Sequence, residues 1–276
     1  MQSIENPAKE QGVQDKFIIA PEEVLSIDAD NVILSTVVRT LIHGVRSLLF
    51  PASCAGCAHP VLEETDSPLC PACARQLPRA TPPWCRVCGL SLANLGAGID
   101  LCLGCKNLPH AFDRAISPLR YEGVAKNLVL NLKYQGRLSL APFLAHGMKQ
   151  TVLERLGPDP ADAVVPVPLH PTRLRERTFN QAQALARQLA RELHLPCWDQ
   201  QLIRQKSTRS QAELPRKERL ANVEGAFGVR LDPKIRLARI LLVDDVFTTG
   251  ATVDACAKAL KGAGAARVIV VTVAHG

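Results

Sequence analysis

Residues 240–252 read ILLVDDVFTTGAT, and the fold turns on how this run is parsed. Ile240, Leu241, Leu242 and Val243 read as a buried strand, expected to end on the adjacent carboxylates Asp244 and Asp245. Thr248, Thr249, Gly250, Ala251 and Thr252 then supply the small and hydroxylated residues of a turn. A helix is expected next, with Val253, Ala257 and Leu260 on one face. A turn between a strand and a helix points free backbone N–H groups outward, and with the helix dipole these bind phosphate. A lysine-bearing Walker loop requires GxxxxGK[ST], which is absent. Two carboxylates do not hold phosphate themselves. They suit the hydroxyls of a sugar, or Mg²⁺, attached to that phosphate. An ordinary βα turn with a capping aspartate accounts for one acid and not for the whole pattern.

The flanking chain continues the alternation. Ala163 to Val167 reads as a buried strand closed by Pro166 and Pro168, since proline cannot donate to a ladder. Phe179 to His194 is a helix with Ala182, Leu185, Leu189 and Leu193 inside, and RVIVVTV at 267–273 is a last buried strand. Further upstream, FDRAISPLRY at 112–121 is extended. A helix beginning at Gly123 stops at Gly136, and another runs from Ser139 to about Leu156. QLIRQK at 201–206 is a short strand. Strands alternating with helices predict a parallel sheet with right-handed crossovers, with ligands at the carboxyl ends of its strands.

The N-terminal half carries a different signal. Eight of the ten cysteines form four CxxC pairs, Cys54/Cys57, Cys70/Cys73, Cys85/Cys88 and Cys102/Cys105. A CxxC turn sets two thiolates on one side of a knuckle, and two knuckles complete a tetrahedral site. Two structural Zn²⁺ sites are expected, paired sequentially as in two zinc ribbons; a cross-braced pairing of first with third also satisfies the spacing. Disulfides, buried free thiols and an iron–sulfur cluster are the alternatives. Four protein ligands leave no open position for chemistry. With the thiolates complete, His59 and His110 are read as surface residues, and Cys197 and Cys256 as small core residues. Residues 31–50 show helical apolar spacing, which fits an amphipathic helix against the body.

The totals fit this division. The 276 residues are 47% hydrophobic and 4% aromatic, with twenty prolines and a net charge of +7. A positive excess favours anionic partners without choosing between small phosphates and nucleic acid. The first thirty residues lack a signal-peptide pattern, and no apolar run approaches the ~18 residues of a membrane span. Metal-bound thiolates and the absence of such segments point to the cytoplasm.

The 240–252 run resembles the phosphoribosyl-diphosphate (PRPP) motif of the type I phosphoribosyltransferases. That resemblance implies that Asp244 and Asp245 contact the ribose 2′ and 3′ hydroxyls and that Thr248, Thr249, Gly250, Ala251 and Thr252 hold the 5′-phosphate, with Mg²⁺ accompanying PRPP. It also makes the residues after the 163–167 strand the diphosphate loop, where Arg173, Arg175 and Arg177 can make bidentate contacts to phosphate oxygens; a solvated loop is the alternative. STRSQAELPRKER at 207–219 then corresponds to a mobile loop that closes over the site, or to a plain linker.

The whole order is more specific. Eight cysteines, LKYQG at 132–136, VPVPLHPTRLRERTFNQA at 165–182, NVEGAF at 222–227 and the PRPP motif together resemble the ComF family, bacterial phosphoribosyltransferase-like proteins with a double zinc ribbon, some acting in natural competence. Three parts are implied: an N-terminal extension at 1–47, a double zinc ribbon at 48–110 and a phosphoribosyltransferase-like α/β domain at 111–276. LKYQG recurs in the family, so Lys133 is either a solvated lysine or a ligand contact. The family often has glycine where this chain has Thr178. In purine-salvage relatives an acidic residue stands where Thr248 stands, which disfavours a purine acceptor and leaves an amine, an orotate-like acceptor or no transfer open. The alternative is a single-stranded nucleic-acid-binding competence factor with no transferase activity, which would use the same phosphate sites for single-stranded DNA. Residues 170–239 carry 15 Lys/Arg against 7 Asp/Glu, whereas Phe179, Trp198 and Phe227 are that span's only aromatics for base stacking.

Overall fold

The computed structural model describes residues 53–61, 67–93, 98–206, 223, 225–230 and 232–276. The amphipathic segment at 31–50 and the polar stretch at 207–219 lie outside these residues, as do Asn222 and Glu224 of NVEGAF.

The run that decides the fold is the spine of the sheet. Strand Arg239–Phe247 (β6) lies between Ala163–Pro166 (β3) and Arg267–His275 (β7), parallel to both. The FDRAISPLRY segment splits at Ser117-Pro118 into Arg114–Ile116 (β1) and Leu119–Arg120 (β2), and both pair with β7, again parallel. The path is β1-β7-β6-β3, with β2 beside the far end of β7. Leu202–Arg204 (β4) and Phe227–Val229 (β5) make a separate antiparallel pair. Pro166 closes β3 on an edge, where a missing N–H costs no ladder bond. The spine runs two residues past the expected end on Asp244 and Asp245, because Val246 and Phe247 still pair with Ala274 and His275.

Both faces of the parallel sheet are covered, as its continuous aliphatic runs require. Successive side chains on a strand leave on opposite faces. Leu241 and Val243 meet Leu128, Leu132, Leu144, Met148, Leu185 and Leu189, from the helices Gly123–Tyr134 (α3), Ala141–Leu156 (α4) and Gln181–Leu193 (α6). Ile240 and Leu242 meet Val253, Cys256, Ala257 and Leu260 of Ala251–Gly262 (α7). Each burial contributes roughly 1.5–3 kcal/mol, so the sheet is held from both sides. Among the described residues no helix is long and apolar enough to cross a membrane.

The two cysteine-rich lobes pack on opposite faces. Cys54, Ala55, Leu69 and Cys73 join the α3 side, and Cys85, Cys88 and Leu92 the α7 side. Asn127 and Asn131 of α3 donate to the carbonyls of Gly56 and Ala55 at 2.7 and 2.8 Å, which ties the first lobe down. Short helices, Pro71–Arg75 (α1) and Leu103–Asn107 (α2), begin within the second knuckle of each lobe, directly after Cys70 and Cys102.

Candidate functional site

The two acids leave β6 in opposite directions. Asp245, 4% exposed, turns toward α3 and α6. Its Oδ2 accepts from Lys133 Nζ at 2.8 Å and from Gln181 Nε2 at 3.1 Å. Burial pulls the Lys133 ammonium down, but the Asp245 carboxylate outweighs it and holds the lysine above its ordinary value. Lys133 is thus not a fully solvated lysine: here it is the counter-ion of Asp245. Gln181 Oε1 is buried without a hydrogen-bond partner among the described residues, an acceptor left over at the site. Asp244 turns toward the α7 side, in the field of Arg204. Its Oδ1 accepts the Asp245 amide at 2.8 Å. Burial, and then the Asp245 charge, push its carboxyl up to about 7. One oxygen of each acid, Oδ2 of Asp244 and Oδ1 of Asp245, keeps no hydrogen bond among the described residues.

The loop after the acids is open to an anion. Gly250 sits at φ 77° as the residue before α7, and a Cβ there would stand 2.7 Å from Cζ of Phe247. Only glycine takes this turn at low cost. The Ala251 amide donates to Thr249 Oγ1 at 3.4 Å. Among the described residues the amides of Thr248, Thr249, Gly250 and Thr252 make no hydrogen bond. Four unengaged donors at the start of a twelve-residue helix are chemically able to receive an anion.

The basic segment is not a loop. Pro171–Arg177 (α5) is a short helix whose cap, His170, accepts from the Thr172 amide at 3.3 Å. Helical winding puts Arg173 and Arg177 on one side and Arg175 on the other, so the three do not converge as extended alternate residues would. Arg173 pairs with Glu176 at 3.1 Å, and Arg177 lies 5.0 Å from the Tyr134 ring centroid. Thr178, the position where the family often has glycine, ends the helix at φ 65°. A β-branched residue there is strained. Thr178→Gly is expected to stabilise the protein by about 1 kcal/mol in urea unfolding, and an unchanged midpoint contradicts the strain.

The cysteines gather as Cys54, Cys57, Cys70 and Cys73, and as Cys85, Cys88, Cys102 and Cys105, with the sulfurs of each set within 4.8 Å of one another. Pairing is therefore sequential. Ligands ~2.3 Å from a tetrahedral zinc stand about 3.8 Å apart. The sulfurs of Cys57 and Cys70 are 3.9 Å apart, and those of Cys88 and Cys102 3.6 Å. No disulfide joins any of the eight. Burial disfavours the Cys54 thiolate, but backbone donors from Cys70, Cys57 and Gly56 outweigh it and lower the thiol to about 6. Burial and the neighbouring sulfurs raise Cys73 and Cys88. Four thiolates at this spacing require a cation, and these donors suit two structural zinc ions.

Two further readings change or gain detail. His110 is not a surface residue: it stacks on Phe112 at 4.6 Å and approaches Asp254 at 3.5 Å. Cys256 is fully buried, and burial raises both its thiol and that of Cys197, the latter to about 11, so neither is a ready nucleophile. Gln181 and Arg204 escaped the sequence reading of the site. Gln181 stands inside the TFNQA run, but nothing in one chain tells a core glutamine from a site glutamine.

Comparison with known proteins agrees with this arrangement. A double zinc ribbon model matches residues 45–107, and a phosphoribosyl transferase domain model matches 180–276. The DNA utilization protein YhgH of Salmonella typhimurium is 34% identical over 225 residues, covering 80% of this chain and 96% of that protein. Competence protein F of Haemophilus influenzae is 30% identical over 71% of this chain and 85% of its own. Competence protein ComFC of Bacillus subtilis is 28% identical over 74% and 76%. With two four-cysteine lobes, a parallel α/β sheet and a 34% identical relative matched over 96% of its length, the chain belongs to the ComF family of double-zinc-ribbon, phosphoribosyltransferase-like proteins.

Proposed function

We propose that the protein binds PRPP, or a closely related phosphorylated ribose, at the carboxyl end of β6. The four unengaged amides at Thr248, Thr249, Gly250 and Thr252, one turn beyond two acids, carry this reading. The 5′-phosphate accepts from those amides and gains the α7 dipole. Ribose hydroxyls donate to the spare oxygens of Asp244 and Asp245, and the same oxygens suit Mg²⁺, which keeps most of its water and is usually held by one or two carboxylates plus substrate phosphates. Magnesium there supplies charge neutralisation for the diphosphate. Arg173 and Arg177, on one side of α5, are the cations best placed to add to it, while Arg175 points elsewhere.

Thermal unfolding with PRPP and Mg²⁺ tests this. Ligand at a hundred times its Kd stabilises by about 2.7 kcal/mol, which raises Tm by several degrees. Ribose 5-phosphate is expected to give a smaller rise. No rise with PRPP at millimolar concentration sinks the reading.

A role with DNA is favoured by what the relatives are called, a DNA utilization protein and two competence proteins. The basic balance of residues 170–239 fits a phosphate backbone. Binding of an oligonucleotide that does not weaken as salt rises argues against it.

A further inference from the structure

A cavity of about 470 Å³ lies between α4 and the stretch that joins the two cysteine lobes. Its apolar walls are Leu77 and Trp84 of that stretch, Leu119 and Val273 of the sheet, and Phe143 of α4. The joining stretch is pinned to β2 and the residue before it. The Arg120 amide donates to Pro78 O and the Ala80 amide to Pro118 O, each at 2.8 Å. No residue of the acid pair, the 248–252 loop or the two cysteine sets lines this space.

One charge sits in the apolar lining without a counter-ion. The Arg155 guanidinium lies on the Trp84 ring, with Cζ 3.7 Å from the centroid. Its Nε and Nη1 are buried and make no hydrogen bond among the described residues, and the same holds for Trp84 Nε1. Arg114 Nη1 donates to Arg155 O at 3.5 Å, which brings a second cation close. Burial, and then the Arg114 charge, push the Arg155 guanidinium down to about 10, so it stays charged at neutral pH. Glu154 opposes this through its field, without a hydrogen bond. Buried polar groups are ordinarily hydrogen-bonded, and a buried charge is ordinarily paired. Gly147, inside α4, lines the same cavity, and a Cβ there would meet nothing within 4 Å. Close packing therefore does not demand glycine, although glycine weakens a helix interior relative to alanine. Its effect is to leave room beside Arg155.

We propose that this cavity binds a small organic monoanion, one carboxylate on an apolar body, with the carboxylate on the unpaired donors of Arg155 and Trp84. The indole covers one face of the guanidinium, so an acceptor meets its edge, the geometry that carboxylates share with arginine. The lining sets the charge. Arg79 and Arg155 against Glu154 leave one net positive charge among the acids, lysines and arginines around the cavity. A dianionic phosphate would bring in a charge without a match, and a neutral ligand would leave Arg155 unpaired. The volume lies in the range of small-molecule sites, and the aliphatic and ring walls suit the apolar body. A ligand held by Trp84 and Arg155 together clamps the stretch between the two lobes onto α4. The inference stands apart from the PRPP reading, since the two sites share no residue.

Benzoate, its neutral isostere benzamide and the dianion phenyl phosphate test it on the full, zinc-loaded chain. Trp84 and Trp198 are the two tryptophans, so a Trp198→Phe background makes the fluorescence report Trp84 alone. Benzoate is expected to perturb it, to raise Tm, and to bind about tenfold more tightly than either of the others. Arg155→Met keeps an apolar stem against the indole and is expected to erase the advantage of benzoate over benzamide. Gly147→Leu fills the cavity from a helical position with open space. It is expected to keep both zinc ions and the parent's Tm while abolishing benzoate binding. Should Arg155→Met fail to fold, Gly147→Leu decides. Benzamide or phenyl phosphate binding as well as benzoate overturns the proposal. A benzoate signal that survives Gly147→Leu does the same, as does no signal at millimolar benzoate.

Discussion

Replacing Cys88 with serine is expected to cut the zinc content from two ions per chain to one and to lower Tm by about 10 °C. The first part follows from the closed ligand set: Cys85, Cys102 and Cys105 alone leave a tetrahedral centre short of a ligand, and serine is a poor substitute. The second follows from where this knuckle sits. Cys88 is buried in one core cluster with Phe112, Ala115 and Val165. The Ala115 amide of β1 donates to Val87 O at 2.6 Å, which stitches the knuckle to the sheet. At Gly89, φ 73°, a Cβ would stand 2.4 Å from Ala115 O, so the turn presses directly on β1. Structural zinc is worth on the order of 10 kcal/mol in small ribbons. If about a third of that reaches the sheet, each kcal/mol moves Tm by 2–4 °C in a domain of this size. Metal analysis and calorimetry check both parts. Fewer than two zinc ions in the parent protein, or a variant that keeps both its metal and its Tm, contradict the account.

The residues themselves explain what a single sequence showed and what it hid. The β6 run was legible because aliphatics, acids and small hydroxylated residues fall in one short window whose periodicity points to a strand, a turn and a helix. The CxxC spacing announced two four-thiolate sites, yet every knuckle is alike in sequence. Only the fold, by packing each lobe on its own face of the sheet, makes the pairing sequential. The helix at Pro171–Arg177 was mistaken for a loop because PTRLRER has one apolar residue and no period, although proline at its first turn was a start signal. The partners of Lys133 and His110 were hidden for a common reason. Asp245 and Asp254 lie more than a hundred positions away in the chain, and no local pattern reports a long-range contact.

Asp244 and Asp245 look equivalent in sequence, yet their asparagine variants are expected to move stability in opposite directions. The folded protein holds the Asp244 carboxyl up at about 7, first through burial and then through the charge of Asp245. An unfolded aspartate titrates near 3.9. Below that value both states carry the proton and the site costs nothing. Between about 4 and 7 the unfolded chain gives up a proton that the folded chain keeps, so stability falls as pH rises, and the cost is fully present above 7. Asp244→Asn removes it while keeping an oxygen for the Asp245 amide. Its Tm is expected to exceed the parent's at pH 8, by a free energy on the order of 2 kcal/mol, and to converge on it near pH 4. Asp245→Asn does the reverse. It strips the counter-ion from Lys133, whose side chain is only 24% exposed, and is expected to cost about 2 kcal/mol at neutral pH. Both variants are nonetheless expected to lose the PRPP-induced rise in Tm, because each removes a charged acceptor for the ribose hydroxyls and Mg²⁺. A half-buried acid kept at a cost to the empty protein is what a binding site requires when its ligand supplies the missing partner. Thermal scans from pH 4 to 8, with and without PRPP and Mg²⁺, decide the matter. Two variants that destabilise alike, or an Asp244→Asn protein that still responds fully to PRPP, remove Asp244 from the site.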